Sequence, residues 1–370
     1  MDLLEAPAHR WIILHALFSP RIAGAERYCV DLANHQAALG HRVHVAGQPG
    51  SPIQSALAAN VTFHALALPW LRGFRMRRLM DRLNVDVCHA HLSPACKAVS
   101  RAHASVTSVA TLHVGYKSHQ HARLHGVICV NRAQSTRLNG YQGTARVIPN
   151  WLPSAPSASE NANPNLSSIS LRAELRLEPR QVLIGAVGRL HPSKGMDVLI
   201  SAFKAIAPKD AALVIVGEGS QRAALERIVG GDARIHFTGY RPDVPRLLHD
   251  LDLFVSPSRE ESFGLAILEA MRAGLPIISS ATEGPREVFG AQPVDWVKPA
   301  SVAEMASALK RALSSLSGRR KPRVAYDLSH FEAAHAITTV MDFYLQSARQ
   351  RQDSAFGFKP HVGVREALYF

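Results

Sequence analysis

No stretch of this 370-residue chain approaches the roughly 20 consecutive apolar residues that a helix needs to cross a bilayer. The opening MDLLEAPAHR carries two acids and lacks the basic head of a secretory signal, so the chain reads as cytoplasmic. Cysteine is scarce: Cys29, Cys88, Cys96 and Cys129 all fall in the first half, with no C-x-x-C pair. That argues against a disulfide scaffold and leaves reduced, buried thiols as the reading. Aromatic residues make up only 6% of the chain. So small a share argues against a base-stacking, nucleic-acid-binding protein, although the pI is near 10. Charged residues are 19% and apolar residues 47%, a balance that excludes global disorder and permits a packed core.

What is present is unevenly distributed. Residues 1–150 hold 16 Lys and Arg against 6 Asp and Glu, whereas the remainder holds 26 against 23. A basic half beside a nearly neutral half implies an anionic partner for the first. Short β-branched runs alternate with amphipathic stretches throughout. In the first half strands are expected at 11–17, 42–46, 61–65, 85–89, 106–112, 127–130 and 146–148, with helices at 25–39 and 71–83. PSAPSASENANPNLSS, residues 153–168, has no periodicity and reads as a linker. Beyond it, strands are expected at 182–187, 213–216, 235–238, 253–255 and 276–279. Helices are expected at 195–206, 221–229, 244–249, 264–273, 285–289 and 302–316.

This βαβα order predicts an α/β protein of two doubly wound parallel sheets. The domains are 1–152 and 169–330. A final helix, 331–350, is expected to pack back toward the first domain, and a tail, 351–370, shows no pattern. Ligands of such sheets bind beyond the carboxyl ends of the strands, expected here to face a cleft between the domains.

The strongest chemical signal is SREESFGLAILEAMRAGLP, residues 258–276, in a strand–loop–helix context. Ser262, Phe263, Gly264 and Leu265 stand where the first amides of a helix are free, an anion site made without charged side chains. Seven residues separate Glu261 from Glu269, which lies inside the helix at a reach that suits a ribose diol. A second motif, GAVGRLHPSKG at 185–195, sets Arg189 and Lys194 in a strand-to-helix loop, where two cations can neutralise a departing diphosphate. In PRIAGAERYCVDLA, Gly24 falls between the first strand and its helix. VATLHVGY ends a strand at His113. Asp250-Leu251-Asp252 spells a D-x-D metal motif, but at a helix–strand boundary, and no metal is assigned to it. No other cofactor is expected.

From about residue 12 to residue 345 the chain resembles family 4 of the glycosyltransferases. The resemblance implies the GT-B fold, two Rossmann-like domains facing a central cleft, and retaining transfer from a nucleotide-sugar donor. Residue by residue, it implies that Glu269 holds the donor ribose, that Glu261 contacts the donor sugar, and that the amides after Phe263 face the diphosphate. It implies that Arg189 and Lys194 match the leaving group, and that His113 lies beside the sugar. Gly24 then lets the backbone approach a phosphate or the acceptor. One glycine of the family's usual pair is replaced by Ala23. In VIPNWL the family's glycine after Asn150 is Trp151, which is expected to reshape an interdomain turn. No covalent nucleophile is nominated, since the resemblance implies that the diphosphate oxygen helps to deprotonate the incoming hydroxyl.

The expected donor is a UDP-sugar. The expected acceptor is a glycan or lipid-linked glycan in lipopolysaccharide or exopolysaccharide assembly. A sugar-nucleotide epimerase or a phosphorylase on the same fold is the alternative. WLRGFRMRRLMDRLN, residues 70–84, sets Arg75, Arg78 and Arg82 on one helical face, with Met76, Leu79, Met80 and Leu83 opposite. That pattern fits either a helix resting peripherally on anionic lipid or a surface helix with its Met/Leu side in the core.

Overall fold

The computed structural model describes residues 10–102, 105–152, 170–316 and 323–355. The chain divides into two compact units, Met1–Pro153 with Phe331–Phe370, and Ser154–His330. The linker expected at 153–168 lies outside the described residues, as do 356–370 of the expected tail.

Among its described residues the first unit holds seven strands: β1 Ile12–Leu17, β2 Arg42–Gly47, β3 Thr62–Ala65, β4 Val87–His91, β5 Thr107–Leu112, β6 Gly126–Cys129 and β7 Thr144–Val147. They form one parallel sheet in the order β3-β2-β1-β4-β5-β6-β7. Helices cover both faces, so the central strands β1, β4 and β5 are buried almost without interruption. The helix Leu92–Ala102, absent from the sequence expectations, leaves β4 with no intervening loop. Its start is unmarked by a turn signal, and Leu92 makes the corner itself with φ 64°.

The last helix runs Ala333–Ala355, well past the point where the apolar pattern fades. Ile337, Val340, Phe343 and Tyr344 are buried with Ile13, Tyr28, Val87, Val109, Ile128 and Trp151 of the first unit. Gly126 makes that seat possible, since a Cβ there would lie 2.5 Å from Ser347 Oγ and 2.8 Å from the Phe343 ring. Trp151, expected to reshape a turn, is instead a core residue with its ring 4.4 Å from that of Tyr28.

The second unit holds β8 Val182–Val187, β9 Ala211–Val216, β10 Ile235–Gly239, β11 Leu253–Ser256, β12 Ile277–Ser280 and β13 Asp295–Val297. The order is β10-β9-β8-β11-β12-β13, again parallel. The three-residue edge strand β13 is too short for a periodicity to announce it. The sheet reverses direction of growth between β8 and β11. That switch point opens a crevice at the carboxyl ends, and the two loops that follow these strands are the two motifs singled out above. Both units are Rossmann-like, and the chain has the two-domain GT-B fold.

The helix Arg72–Leu83 settles the open question about its apolar side. Met76, Leu79 and Met80 are buried against β1, β4 and the helix Leu92–Ala102, so they are core residues and not a lipid-facing surface. Nor are the three expected arginines equivalent. Arg75 is held back, donating from Nη1 to the Ala67 carbonyl at 3.2 Å, while Arg77, Arg78 and Arg82 are exposed.

Candidate active site

In the second unit the two loops are stitched together by the backbone. The amides of Arg259 and Glu260 donate to the Ser193 carbonyl at 2.8 and 3.1 Å. The Arg259 guanidinium bridges back to the Pro192 carbonyl at 2.9 Å and pairs with Asp197 at 2.6 Å. That pairing holds the Asp197 carboxyl below its ordinary range. Gly195, at φ 62°, is required at this crossing: a Cβ there would lie 2.1 Å from the Pro257 carbonyl oxygen.

The stitching brings together two residues 67 apart in sequence. Lys194 Nζ meets Glu261 Oε2 at 2.5 Å, both side chains about four-fifths buried. Gly264 follows in a left-handed conformation, φ 97°, and caps the helix Leu265–Arg272. A turn of this kind leaves the amides of Leu265 and Ala266 without an intrahelical carbonyl, and the helix dipole reinforces their pull on an anion. Phe263 anchors the turn, buried with its ring 5.5 Å from Phe289 in an edge contact. Gly284 closes the other side, where a Cβ would lie 2.2 Å from the Ser262 carbonyl oxygen. Glu269 sits within the same helix and is 93% buried, so its carboxylate is held in place and does not sweep through solvent. Arg189 is exposed and makes no ion pair with a described residue.

Sequence reasoning missed the third wall. Gly217 and Gly219 flank Glu218 directly after β9. A Cβ on either would lie 2.0 Å from the Gly188 carbonyl oxygen or 2.3 Å from that of Leu190. The Leu190 amide donates to the Glu218 carbonyl at 2.9 Å, which fixes the backbone on both sides of Arg189. The signal was there: two glycines spaced by one residue at the end of an apolar strand.

The D-x-D sequence is committed elsewhere. Asp250 accepts from the Leu171 amide at 2.7 Å. Asp252, almost wholly buried, accepts from the Leu183 amide at 2.7 Å and pairs with Arg172. Both carboxylates thus tie the start of the unit to its sheet.

In the first unit Gly24 opens the helix Gly24–Ala38 and is not a residue of the preceding turn. Glu26 secures that start, accepting from the Ala23 amide at 3.1 Å and from Ser19 Oγ at 2.6 Å. His113 follows β5, half-buried, with its ring 5.0 Å from and nearly perpendicular to that of Tyr28. Its Nε2 lies 3.2 Å from His91 Nδ1. Burial pushes its pKa down to about 3, so the ring is neutral at neutral pH. His89 and His91 are fully buried within β4, with His91 its last residue.

Residues 22–154 match the sequence model of glycosyltransferase family 4, and residues 181–315 match that of glycosyl transferases group 1. The chain belongs to glycosyltransferase family 4. Among curated relatives, it is 26% identical to the lipopolysaccharide core biosynthesis mannosyltransferase LpsB of Rhizobium meliloti over 71% of this chain and 75% of LpsB. It is 42% identical to the GDP-mannose-dependent alpha-(1-6)-phosphatidylinositol dimannoside mannosyltransferase of Mycobacterium tuberculosis, over 30% of this chain and 31% of that one. Its fold matches that of Anabaena HepE, solved with UDP and glucose, with TM-score 0.68 and 19% identity over 94% of this chain and all of HepE. This family 4 enzyme is therefore a glycosyltransferase. Lys194 and Glu261 meet where the loops after β8 and β11 come together.

Proposed function

We propose that the enzyme transfers a glycosyl group, with retention, from a nucleotide sugar to a hydroxyl of a glycan or lipid-linked acceptor in lipopolysaccharide-type assembly. The observation that carries this reading is the Lys194–Glu261 pair at the mouth of an amide-lined helix start, with Glu269 fixed further along that helix. Glu269 takes the ribose diol. The free amides that open the helix, those of Leu265 and Ala266, receive the diphosphate, with Lys194 and Arg189 offsetting the charge that grows as it leaves. Glu261, oriented by Lys194, takes a sugar hydroxyl. His113, in the first unit, is assigned a substrate hydroxyl. No step calls on a metal ion, because these cations and amides supply the positive field.

A UDP-sugar donor is supported by the HepE complexes. GDP-mannose is the second reading, favoured by the mycobacterial relative. Nucleotide release should be followed across UDP-, GDP- and ADP-sugars, with and without an added glycan acceptor. Release that depends on acceptor and survives excess EDTA is expected. Product formed from donor alone would favour an epimerase, and full loss with EDTA, restored by magnesium or manganese, would return Asp250 and Asp252 to the chemistry.

The acceptor side is the basic first unit, and its surface suits an anionic membrane. Trp70 is 76% exposed and Phe74 60%, beside exposed Arg77, Arg78 and Arg82. Among the described residues no helix is long and apolar enough to cross a membrane, so contact would be shallow. Each arginine at an anionic surface contributes about 1 kcal/mol, screened over about 10 Å at ordinary salt. The protein should sediment with anionic liposomes at low salt, leave them at high salt, and ignore neutral ones. Changing Arg77, Arg78 and Arg82 to Ser should abolish sedimentation. A triple variant that still sediments normally would assign the basic surface to the acceptor alone.

A further inference from the structure

A chain of hydrogen bonds runs inward from His113 through the core of the first unit. His113 Nε2 lies 3.2 Å from His91 Nδ1, and His91 Nε2 lies 3.1 Å from His15 Nδ1. His15 Nε2 is 2.7 Å from Gln36 Oε1. The Gln36 amide nitrogen then reaches Tyr344 Oη at 3.3 Å and Met341 Sδ at 3.4 Å, both on the last helix. From Tyr344 Oη the chain returns to His89 Nδ1 at 2.7 Å. His89 Nε2 continues to Thr111 Oγ1 at 2.8 Å. His15, His89, His91 and Gln36 are all fully buried.

A neutral imidazole has one N–H and one lone pair, so each link fixes the next. Burial holds all four rings neutral: His15 is pushed down to about 4, His113 to about 3, and His89 and His91 well below their ordinary value. The direction of the whole chain is then set at one point, the orientation of the Gln36 amide. Its two faces differ. A thioether sulfur accepts weakly and cannot donate, so the side toward Met341 and Tyr344 must be the NH₂ group. The oxygen therefore faces His15, and His15 must donate from Nε2. Its Nδ1 accepts from His91 Nε2–H, and His91 Nδ1 accepts in turn from His113 Nε2–H.

We infer that Gln36, acting through His15 and His91, is a positioning residue that locks His113 as its Nε2–H tautomer, so that a bare Nδ1 is presented to a substrate hydroxyl. This rests on the reading above in which His113 meets a substrate hydroxyl. Nδ1 has no partner among the described residues, and the half-buried ring leaves it as the nitrogen a ligand can reach. A lone pair there accepts a hydrogen bond from a hydroxyl and rejects a substrate that offers only an acceptor. The opposite tautomer would reverse that preference.

The test reads the tautomers directly. Protein labelled with ¹⁵N at histidine, without donor or acceptor, is studied by long-range ¹H–¹⁵N correlation. His15, His89, His91 and His113 should all show a protonated Nε2 and an unprotonated Nδ1. In Gln36→Met, which keeps the volume but removes both amide groups, His91 and His113 should lose the single tautomer. The kcat for transfer should fall roughly two- to tenfold, as for loss of one oriented hydrogen bond, with the KM for donor unchanged. A wild-type His113 protonated at Nδ1 overturns the inference whether or not the variant folds. So does a single Nε2–H tautomer that survives in a folded Gln36→Met. One ring nitrogen each of His15 and His91 and the Cys29 Sγ lie within 4.8 Å of one another. Stoichiometric zinc in the purified protein, lost in Cys29→Ala, would put a cation where the chain needs a proton and would also overturn it. Because the spectra need no turnover, a protein that transfers from no nucleotide sugar would defeat the proposed function and leave the tautomer result standing.

Discussion

Lys194→Ala is expected to lower kcat by about 10²–10³, the usual loss when one preorganised group facing developing charge is removed. Two effects act together. The cation assigned to the leaving diphosphate is gone, and Glu261 loses its partner 2.5 Å away. The variant should still fold, since the backbone link from Arg259 and Glu260 to Ser193 does not involve the lysine side chain. Arg189→Ala should act in the same direction. Steady-state kinetics at saturating donor, with melting curves as the control, measure this. Near-normal turnover in Lys194→Ala would remove the lysine from the leaving-group role.

Glu269→Ala should act on binding. The carboxylate is assigned the ribose diol, and each hydrogen bond to a charged group carries about 1.5–3 kcal/mol. Loss of one such bond predicts a donor affinity weaker by roughly tenfold to 150-fold. Calorimetric titration of donor into wild type and variant gives the ratio. Equal affinities would show that Glu269 serves the helix and not the nucleotide.

The sequence made these residues visible for a physical reason. Burial on both faces of a parallel sheet forces continuous apolar runs, and β8 was expected at its observed limits, Val182–Val187. Loops after such strands must carry glycines and caps, so the Arg189–Gly195 and Glu261–Glu269 segments stood out against their surroundings. Contacts between loops are another matter. Nothing in the order of residues says that the Ser193 carbonyl receives the Arg259 amide, or that Gly217 and Gly219 back onto Gly188 and Leu190. Those approaches depend on strand order, which places β8 between β9 and β11.

The histidine chain was hidden in the same way. His15 pairs in register with His89, and His91 with Thr111, and parallel register is set by packing and not by any turn motif. The arginine-rich helix shows the converse. Its apolar stripe was plain, but only the packing of Met76 and Met80 in the core distinguishes a structural stripe from one facing lipid.

The central claim is retaining transfer from a nucleotide sugar bound at the loops after β8 and β11. The most direct test follows the anomeric proton by NMR as the active nucleotide sugar is consumed in the presence of acceptor. The account predicts one nucleoside diphosphate released per glycoside formed, with the glycoside carrying the anomeric configuration of the donor. It also predicts that Lys194→Ala slows both signals together. An inverted product, or nucleotide release that Lys194→Ala leaves unchanged, would contradict it.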